Sequence, residues 1–432
     1  MSFDSLVLRS IVAQLNETII EGRILDVVQY SPLEFILRVS AQGEIRNLLF
    51  SIHPVYARVH LTEASPKKEK RWHFADFLQA HTGGGKIAAI EQVDFDRIIR
   101  IRIIPHEETI NPVPKVLTGE FMGKHSNVIL LEEETGRILE SMKHIDESMS
   151  RYRQILPGTA YVAPPVSQKF DLFSAQALEK LEASAPGDDR PIWKKLLANF
   201  QGMSPLLAKE ITARAADDST EAVLTALSRL RDDILNAKYS PNVIIDEHQD
   251  VVAVSAIEFH QFKNSHTISF SAISEAVEYF YRHLIAKESL LAEKAAILSA
   301  VKKRCDDLNE KLESLRQRLK TAEDADSIKL KGDLLLANIH RIERGQKEVT
   351  LQNFYDPGGA EVTIKLDERL KPSDNAQRYF EEYKKAKKSR DVLTKLVKRN
   401  QTELESLLKV IEKAEDLNAL AGIRADLARK GV

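Results

Sequence analysis

Ile87-Ala88-Ala89-Ile90-Glu91-Gln92-Val93-Asp94-Phe95-Asp96-Arg97-Ile98-Ile99-Arg100-Ile101-Arg102-Ile103-Ile104 reads as two strands, 87–93 and 98–104, either side of the polar break Asp94-Phe95-Asp96-Arg97. Working outward from this pair, the same texture recurs. Upstream, residues 23–30, 33–39 and 45–52 are strand-like, punctuated as turns by Ser31-Pro32 and Gln42-Gly43. Downstream come 116–122 and 128–131, a turn at Glu134-Thr135-Gly136, and a strand from Arg137. Two helices join them. Phe3, Leu6, Val7, Ile11, Leu15 and Ile19 repeat at helical spacing with Gly22 as the stop, and 72–81 ends at the glycines 83–85. The expectation is an α+β domain with a meandering, mostly antiparallel sheet over residues 1–168, its exit marked by Pro157, Pro164 and Pro165.

Residues 169–240 read as helical, 241–283 as connecting strands and a helix, and 284–432 as an arm. In the helical part, Phe200-Gln201-Gly202-Met203-Ser204-Pro205 followed by Leu206, Leu207, Ala208 and Ile211 resembles a helix–hairpin–helix, whose glycine turn can aim backbone N–H groups at a phosphate. The other reading is a tight connection between two core helices. In the arm, Leu298, Val301, Cys305, Leu308, Leu312, Leu315 and Leu319 step by three and four, and Leu393, Val397, Leu404, Leu407 and Ile411 return the pattern around polar Asn400. Two such stretches predict an antiparallel coiled coil; a helix of roughly 35 residues reaches about 50 Å. Between them, at about 328–372, a helix over 331–342 and strands over 349–355 and 361–366 around Asp356-Pro357-Gly358-Gly359 predict a small α/β tip.

Charged residues are 29% of the chain but the formal net charge is −2, so any nucleic-acid contact must rest on local patches. A lone cysteine, Cys305, allows no intramolecular disulfide and no Cys-rich zinc site, and its seam position reads as a small buried apolar side chain. The opening MSFDSLVLRS does not read as a signal peptide, and no apolar run approaches the ~18 residues needed to span a bilayer. A reducing cytoplasm is the expected compartment. No P-loop, GxSxG, HExxH or dinucleotide fingerprint is present. Gly83-Gly84-Gly85-Lys86 follows a helix and precedes a strand, the reverse of a phosphate loop, and His53, His60, His73 and His81 are scattered over different elements. No enzyme, cofactor or metal is expected.

Several segments in this order resemble the NFACT family: Phe3-Asp4-Ser5-Leu6-Val7-Leu8 with Leu15-Asn16; Ser51-Ile52-His53-Pro54-Val55-Tyr56-Ala57-Arg58-Val59-His60-Leu61-Thr62; Asp96-Arg97; Glu120-Phe121-Met122-Gly123-Lys124-His125-Ser126-Asn127; and Ser150-Arg151-Tyr152-Arg153 with Leu156-Pro157-Gly158. In the arm, Leu330-Lys331-Gly332-Asp333-Leu334-Leu335-Leu336-Ala337-Asn338 and Asn375-Ala376-Gln377-Arg378-Tyr379-Phe380 match as well. The resemblance implies a cytoplasmic factor that binds the large ribosomal subunit obstructed by peptidyl-tRNA, touching rRNA. It also implies recruitment of tRNA, alanyl-tRNA in bacterial members, for template-independent tailing of the stalled chain, with peptidyl transfer left to the ribosome. It further implies a first domain resembling the N-domain of formamidopyrimidine-DNA glycosylases. Those enzymes use an N-terminal proline; the chain here begins Met1-Ser2-Phe3-Asp4, so neither DNA nor glycosylase chemistry is expected.

The chain departs from the family in two places. Gln79-Ala80-His81 stands where members usually carry a basic run, and the chain ends at Val432, before the further RNA-binding domain that members usually have. On this resemblance the tRNA-binding residues are Asp96 and Arg97, with Glu120, Phe121, Met122, Lys124, His125 and Asn127. Arg97 suits a bidentate phosphate or guanine contact, Lys124 and His125 suit phosphates, Asn127 a base edge, and Phe121 or Met122 an unstacked base; the other reading of the block has Phe121 and Met122 alternating into the core and His125 and Asn127 capping a turn. Arg58, His60, Arg151 and Arg153 are further phosphate candidates. Lys384-Lys385-Ala386-Lys387-Lys388-Ser389-Arg390 reads equally as an rRNA contact or a solvated helix face. Competing readings are a fibronectin-binding adhesin, which lacks a visible export signal or wall anchor, and a coiled-coil scaffold without RNA binding.

Overall fold

The computed structural model describes residues 3–65, 70–165, 169–173, 190–217, 219–322 and 325–413. The chain divides into two compact units, Met1–Ala286 and Lys287–Val432.

The first unit is built on a nine-stranded, wholly antiparallel sheet. Helix α1 (Ser5–Thr18) leads into β1 (Arg23–Ser31), β2 (Glu34–Ala41), β3 (Glu44–Ser51) and β4 (Arg58–Thr62). Helix α2 (His73–Thr82) then precedes β5 (Lys86–Gln92), β6 (Ile98–Ile104), β7 (Lys115–Glu120), β8 (Asn127–Glu132) and β9 (Ile138–Ser141). The strand order is β4-β3-β2-β1-β5-β6-β7-β8-β9. Two meanders therefore meet at β1 and β5, which share a narrow seam. There Gly84 donates its N–H to the Ile24 carbonyl and Ile24 donates to Gly85. The triple glycine is a sheet junction: Gly84 takes φ +71°, and a Cβ on Gly85 would lie 2.8 Å from the Thr82 carbonyl.

Side-chain alternation decides which face is covered. In β6, Ile99, Ile101 and Ile103 enter the core while Arg100 and Arg102 face out. Strand β8 has no polar alternation because both its faces are buried. Val128 and Leu130 join the main core; Ile129 and Leu131 join a second cluster with Ile138 and Ile155. Helix α1 lies against the main core through Leu6, Val7, Leu8, Ile11, Val12 and Leu15, and Asp4 caps it by accepting from the Leu6 and Val7 amides. Strand β4 went unread in the sequence as a strand, because its burial pattern does not alternate cleanly: Arg58, Val59 and His60 are all buried.

The same core continues through α3 (Ile192–Asn199), α4 (Pro205–Arg214) and α5 (Thr220–Leu235). It then takes in the small sheet of β10 (Asn242–Ile245), β11 (Val251–Ser255) and β12 (His266–Ser269), and the first turns of α6 (Ile273–Ala322). Glu210 of α4 is fully buried yet satisfied, accepting from Arg214 Nε and the His260 and Gln261 amides.

In the second unit, the rest of α6 and helix α8 (Pro372–Lys413) share an apolar seam. It runs through Val301, Cys305 and Leu308 of one and Leu407 and Val410 of the other, flanked by an Arg304–Glu403 ion pair at 2.7 Å. Burial among these apolar neighbours pushes the Cys305 thiol up. The 42 residues of α8 extend about 63 Å. Between the long helices lie α7 (Ala325–Ala337) and the hairpin β13 (Glu348–Gln352) and β14 (Glu361–Lys365), packed through Leu334, Leu335, Leu351, Ile364 and Tyr379. A strand was expected over 349–355, but it ends at Gln352. Asn353 accepts the Tyr355 amide in an Asx turn, leaving Phe354 and Tyr355 exposed.

Candidate nucleic-acid interface

The break between β5 and β6 is a strained turn. Asp94 and Phe95 both adopt left-handed φ, 47° and 52°, at a cost of roughly 1–3 kcal/mol each for residues other than glycine. Phe95 is anchored inward with its ring edge-on to Phe173, centroids 5.0 Å apart. Gln92 closes the turn, its side-chain amide donating to the Ser5 and Asp96 carbonyls at 2.7 and 2.8 Å. Asp96 Oδ1 accepts the Arg97 amide at 2.7 Å. The turn thus leaves Asp96 and Arg97 half-exposed at its rim.

Strand pairing brings the second block beside it. Ile98 sits opposite Glu120 in the β6–β7 ladder, and the Phe121 amide donates to the Arg97 carbonyl at 2.9 Å. The chain then reverses through a 3-10 turn at Gly123–His125, with Gly123 at φ +62°. Lys124 and His125 are exposed on that turn and Met122 is half-buried beside it. Lys143 Nζ donates to the Lys124 carbonyl at 3.2 Å, adding a cation that sequence reasoning missed, because the contact spans 19 residues. Burial holds the Lys143 ammonium below its ordinary range.

Several expected contacts are corrected by burial. Phe121 offers no face to a base: it is fully buried, edge-on to Phe3 and folded over Gly119. Asn127 reads no base edge. Its carbonyl accepts the Val128 and Lys143 amides and its amide donates to the Lys143 carbonyl, which ties β8 to the 143 loop. Glu120 is fully buried and accepts a two-pronged contact from Arg153 together with the Tyr161 hydroxyl at 2.7 Å. Arg153 is therefore committed to Glu120 and to the Val162 carbonyl and is withdrawn as a phosphate contact, whereas Arg151 remains exposed.

Arg58 and His60 are also withdrawn, for they are buried in a brace between β4 and α6. Arg58 Nε donates to His60 Nε2 at 3.2 Å, and its guanidinium carbon lies 4.9 Å from the Tyr281 ring centroid. Burial and the Arg58 charge hold the His60 imidazole down to about 3. Two further histidines, His73 and His144, flank the buried Glu140 carboxylate. Among the described residues no three His, Cys, Asp or Glu side chains converge as metal ligands, and no helix is long and apolar enough to cross a membrane.

What remains at the surface is a strained acid–arginine turn, an adjacent turn bearing Lys124 and His125, and Lys143. This suits recognition of a phosphate-rich ligand. Comparison with known proteins agrees with the sequence motifs. Residues 4–432 match the family model for NFACT N-terminal and middle domains. The chain belongs to the NFACT family. Among curated NFACT relatives it is similar to "Rqc2 homolog RqcH" of Bacillus subtilis, 32% identical over 415 residues covering 95% of this chain and 72% of that one. It is likewise similar to the protein of the same name from Streptococcus pneumoniae, 29% identical over 437 residues covering 100% of this chain and 75% of that one. Two solved structures share the NFACT fold. The fibrinogen binding protein from Staphylococcus aureus has a TM-score of 0.56 at 27% identity, covering 65% of this chain and 99% of that one. The N-terminal part of the fibronectin/fibrinogen-binding protein from Streptococcus suis has a TM-score of 0.55 at 26% identity, with the same coverage.

Proposed function

We propose that this NFACT chain is a ribosome quality-control factor that acts in the cytoplasm on large subunits obstructed by peptidyl-tRNA. It recruits tRNA, alanyl-tRNA in the first instance, for template-independent C-terminal tailing of the stalled chain, while the ribosome carries out peptidyl transfer. The observation that carries the reading is the bond from the Phe121 amide to the Arg97 carbonyl, which sets the Asp96-Arg97 turn beside the 122–125 turn, in a chain similar to proteins named Rqc2 homolog RqcH. Arg97, Lys124, His125, Lys143 and Arg151 meet phosphates, Asp96 orients Arg97 or accepts from a base amino group, and Met122 packs against an unstacked base.

In this reading residues 1–168 form the tRNA-facing domain with a glycosylase-like architecture but no glycosylase chemistry. Residues 169–240 and 241–283 support it, and the seam of α6 and α8 is an antiparallel coiled-coil arm capped at about 328–372 that contacts the ribosome and rRNA.

The test is a pair of variants, Asp96→Ala and Arg97→Ala, assayed for tRNA binding and for tailing on obstructed large subunits. Arg97→Ala is expected to weaken tRNA binding by about tenfold or more, and to lower the salt slope of log K by ~0.7–0.9 per lost phosphate contact. Normal binding and tailing in both folded variants would overturn the site. Binding to fibronectin or fibrinogen in place of tRNA, as the names of the two similar solved proteins suggest for them, would favour the adhesin reading.

A further inference from the structure

The glycine turn between α3 and α4 resembles a phosphate-gripping hairpin in sequence, yet it points inward. Gly202 has φ +69°, and a Cβ built there would stand 1.8 Å from the carbonyl oxygen of Phe95. No other residue type allows this approach, so the hairpin backbone lies directly on the strained 94–95 turn. Two further links close the arrangement. Ser204 Oγ donates to Asp4 Oδ2 at 2.7 Å while accepting the Leu207 amide, so one hydroxyl caps α4 and fastens it to the cap of α1. Gln92 joins the first residue of α1 to the same turn through the Ser5 and Asp96 carbonyls. The charge of Arg97 reaches the buried Asp4, where burial prevails and pushes the carboxyl up. Three elements far apart in sequence thus converge on a four-residue turn, two of whose residues, Asp94 and Phe95, hold a backbone conformation that is unfavourable alone.

We infer that Gly202 and the Ser204–Asp4 bond are positioning elements: the α3–α4 hairpin is a buttress that holds the 94–97 turn so that Asp96 and Arg97 face RNA, and does not itself grip phosphate. This rests on the reading that Asp96 and Arg97 contact tRNA. A turn with two consecutive left-handed residues relaxes when its support is removed, and a displaced guanidinium loses its paired geometry.

The experiment measures tRNA binding by the full chain for Gly202→Ala, Ser204→Ala, Ser204→Thr, Arg97→Ala and the Gly202→Ala/Arg97→Ala double variant. Gly22→Ala is the control; its Cβ would meet Val39 Cγ1 at 2.6 Å, which strains the same unit away from the turn. Hydrogen exchange at the Phe121 amide, which donates to Arg97, reports the turn without any RNA. Gly202→Ala is expected to weaken binding about tenfold, as Arg97→Ala does, and to speed exchange at Phe121. The double variant should be no weaker than an Asp96→Ala/Arg97→Ala variant measured beside it, and Gly22→Ala should bind normally. Ser204→Ala should weaken binding and Ser204→Thr restore it; this pair carries the test if Gly202→Ala does not fold.

Wild-type binding by Gly202→Ala or Ser204→Ala beside a weakened Arg97→Ala would overturn the buttress and leave the site standing. Wild-type binding by Arg97→Ala would overturn the site itself and the inference with it. A double variant weaker than an Asp96→Ala/Arg97→Ala variant would make the hairpin a separate RNA contact, which also overturns the inference.

Discussion

Acidification should destabilise the first unit through one buried histidine, His60, by an amount the structure sets. Arg58 Nε donates to His60 Nε2, so that nitrogen must be unprotonated, and Nδ1 is left to donate to the Leu61 carbonyl at 2.8 Å. Glu278, with Oε2 at 3.6 Å from Nδ1, pulls towards protonation but lies beyond hydrogen-bond length; burial and Arg58 prevail, and the imidazole is held down to about 3. In the unfolded chain the same group titrates near ~6.5. Between these values the unfolded state takes a proton that the folded state refuses. The stabilisation is therefore complete above the unfolded value and is lost as pH falls below it. At about pH 5, some one and a half units below, the loss is about 2 kcal/mol. Both tryptophans, Trp72 and Trp193, lie in the first unit, so urea unfolding followed by tryptophan fluorescence reads that unit. The comparison is with His60→Gln, whose amide oxygen accepts from Arg58 and does not titrate. Every other histidine contributes alike to both proteins. Wild type should lose about 2 kcal/mol more than the variant between about pH 7.5 and about pH 5. Equal losses would refute a neutral, buried His60.

Arg153→Met leaves the buried Glu120 carboxylate with, among the described residues, only the Tyr161 hydroxyl bonded to it, and should cost about 3–5 kcal/mol by the same fluorescence assay; an unchanged midpoint would refute the buried Glu120–Arg153 pair. Asn400, only 4% exposed, makes its described bond within its own helix to the Leu396 carbonyl. Asn400→Leu should therefore raise the melting midpoint of the second unit, followed by circular dichroism, while loosening helix register in cysteine crosslinking. A lowered midpoint would show that Asn400 is bonded across the seam.

The legible parts of the chain were those in which near neighbours in sequence decide the outcome. The α1 stripe, the β5–β6 pair and the heptads of α6 follow from periodicity, because burial on one face leaves a repeating mark. The misread positions were polar or aromatic residues whose role depends on distant partners. Glu120, Phe121 and Asn127 sit among RNA-like chemistry in sequence, yet each is buried by elements up to 41 residues further along or by the N-terminal helix region. Arg58 and His60 look like phosphate ligands until Tyr281 and Glu278 cover them.

The sequence by itself determined the α+β class, the paired long helices and the place of the Asp96-Arg97 break, since these depend on hydrophobic period and turn chemistry. Only the tertiary structure decided which charged side chains face solvent. It also turned the Gly202 hairpin from a gripping element into a support, because a glycine's use depends on what approaches it. Here that is the Phe95 carbonyl, more than a hundred residues away in sequence and within van der Waals reach in space.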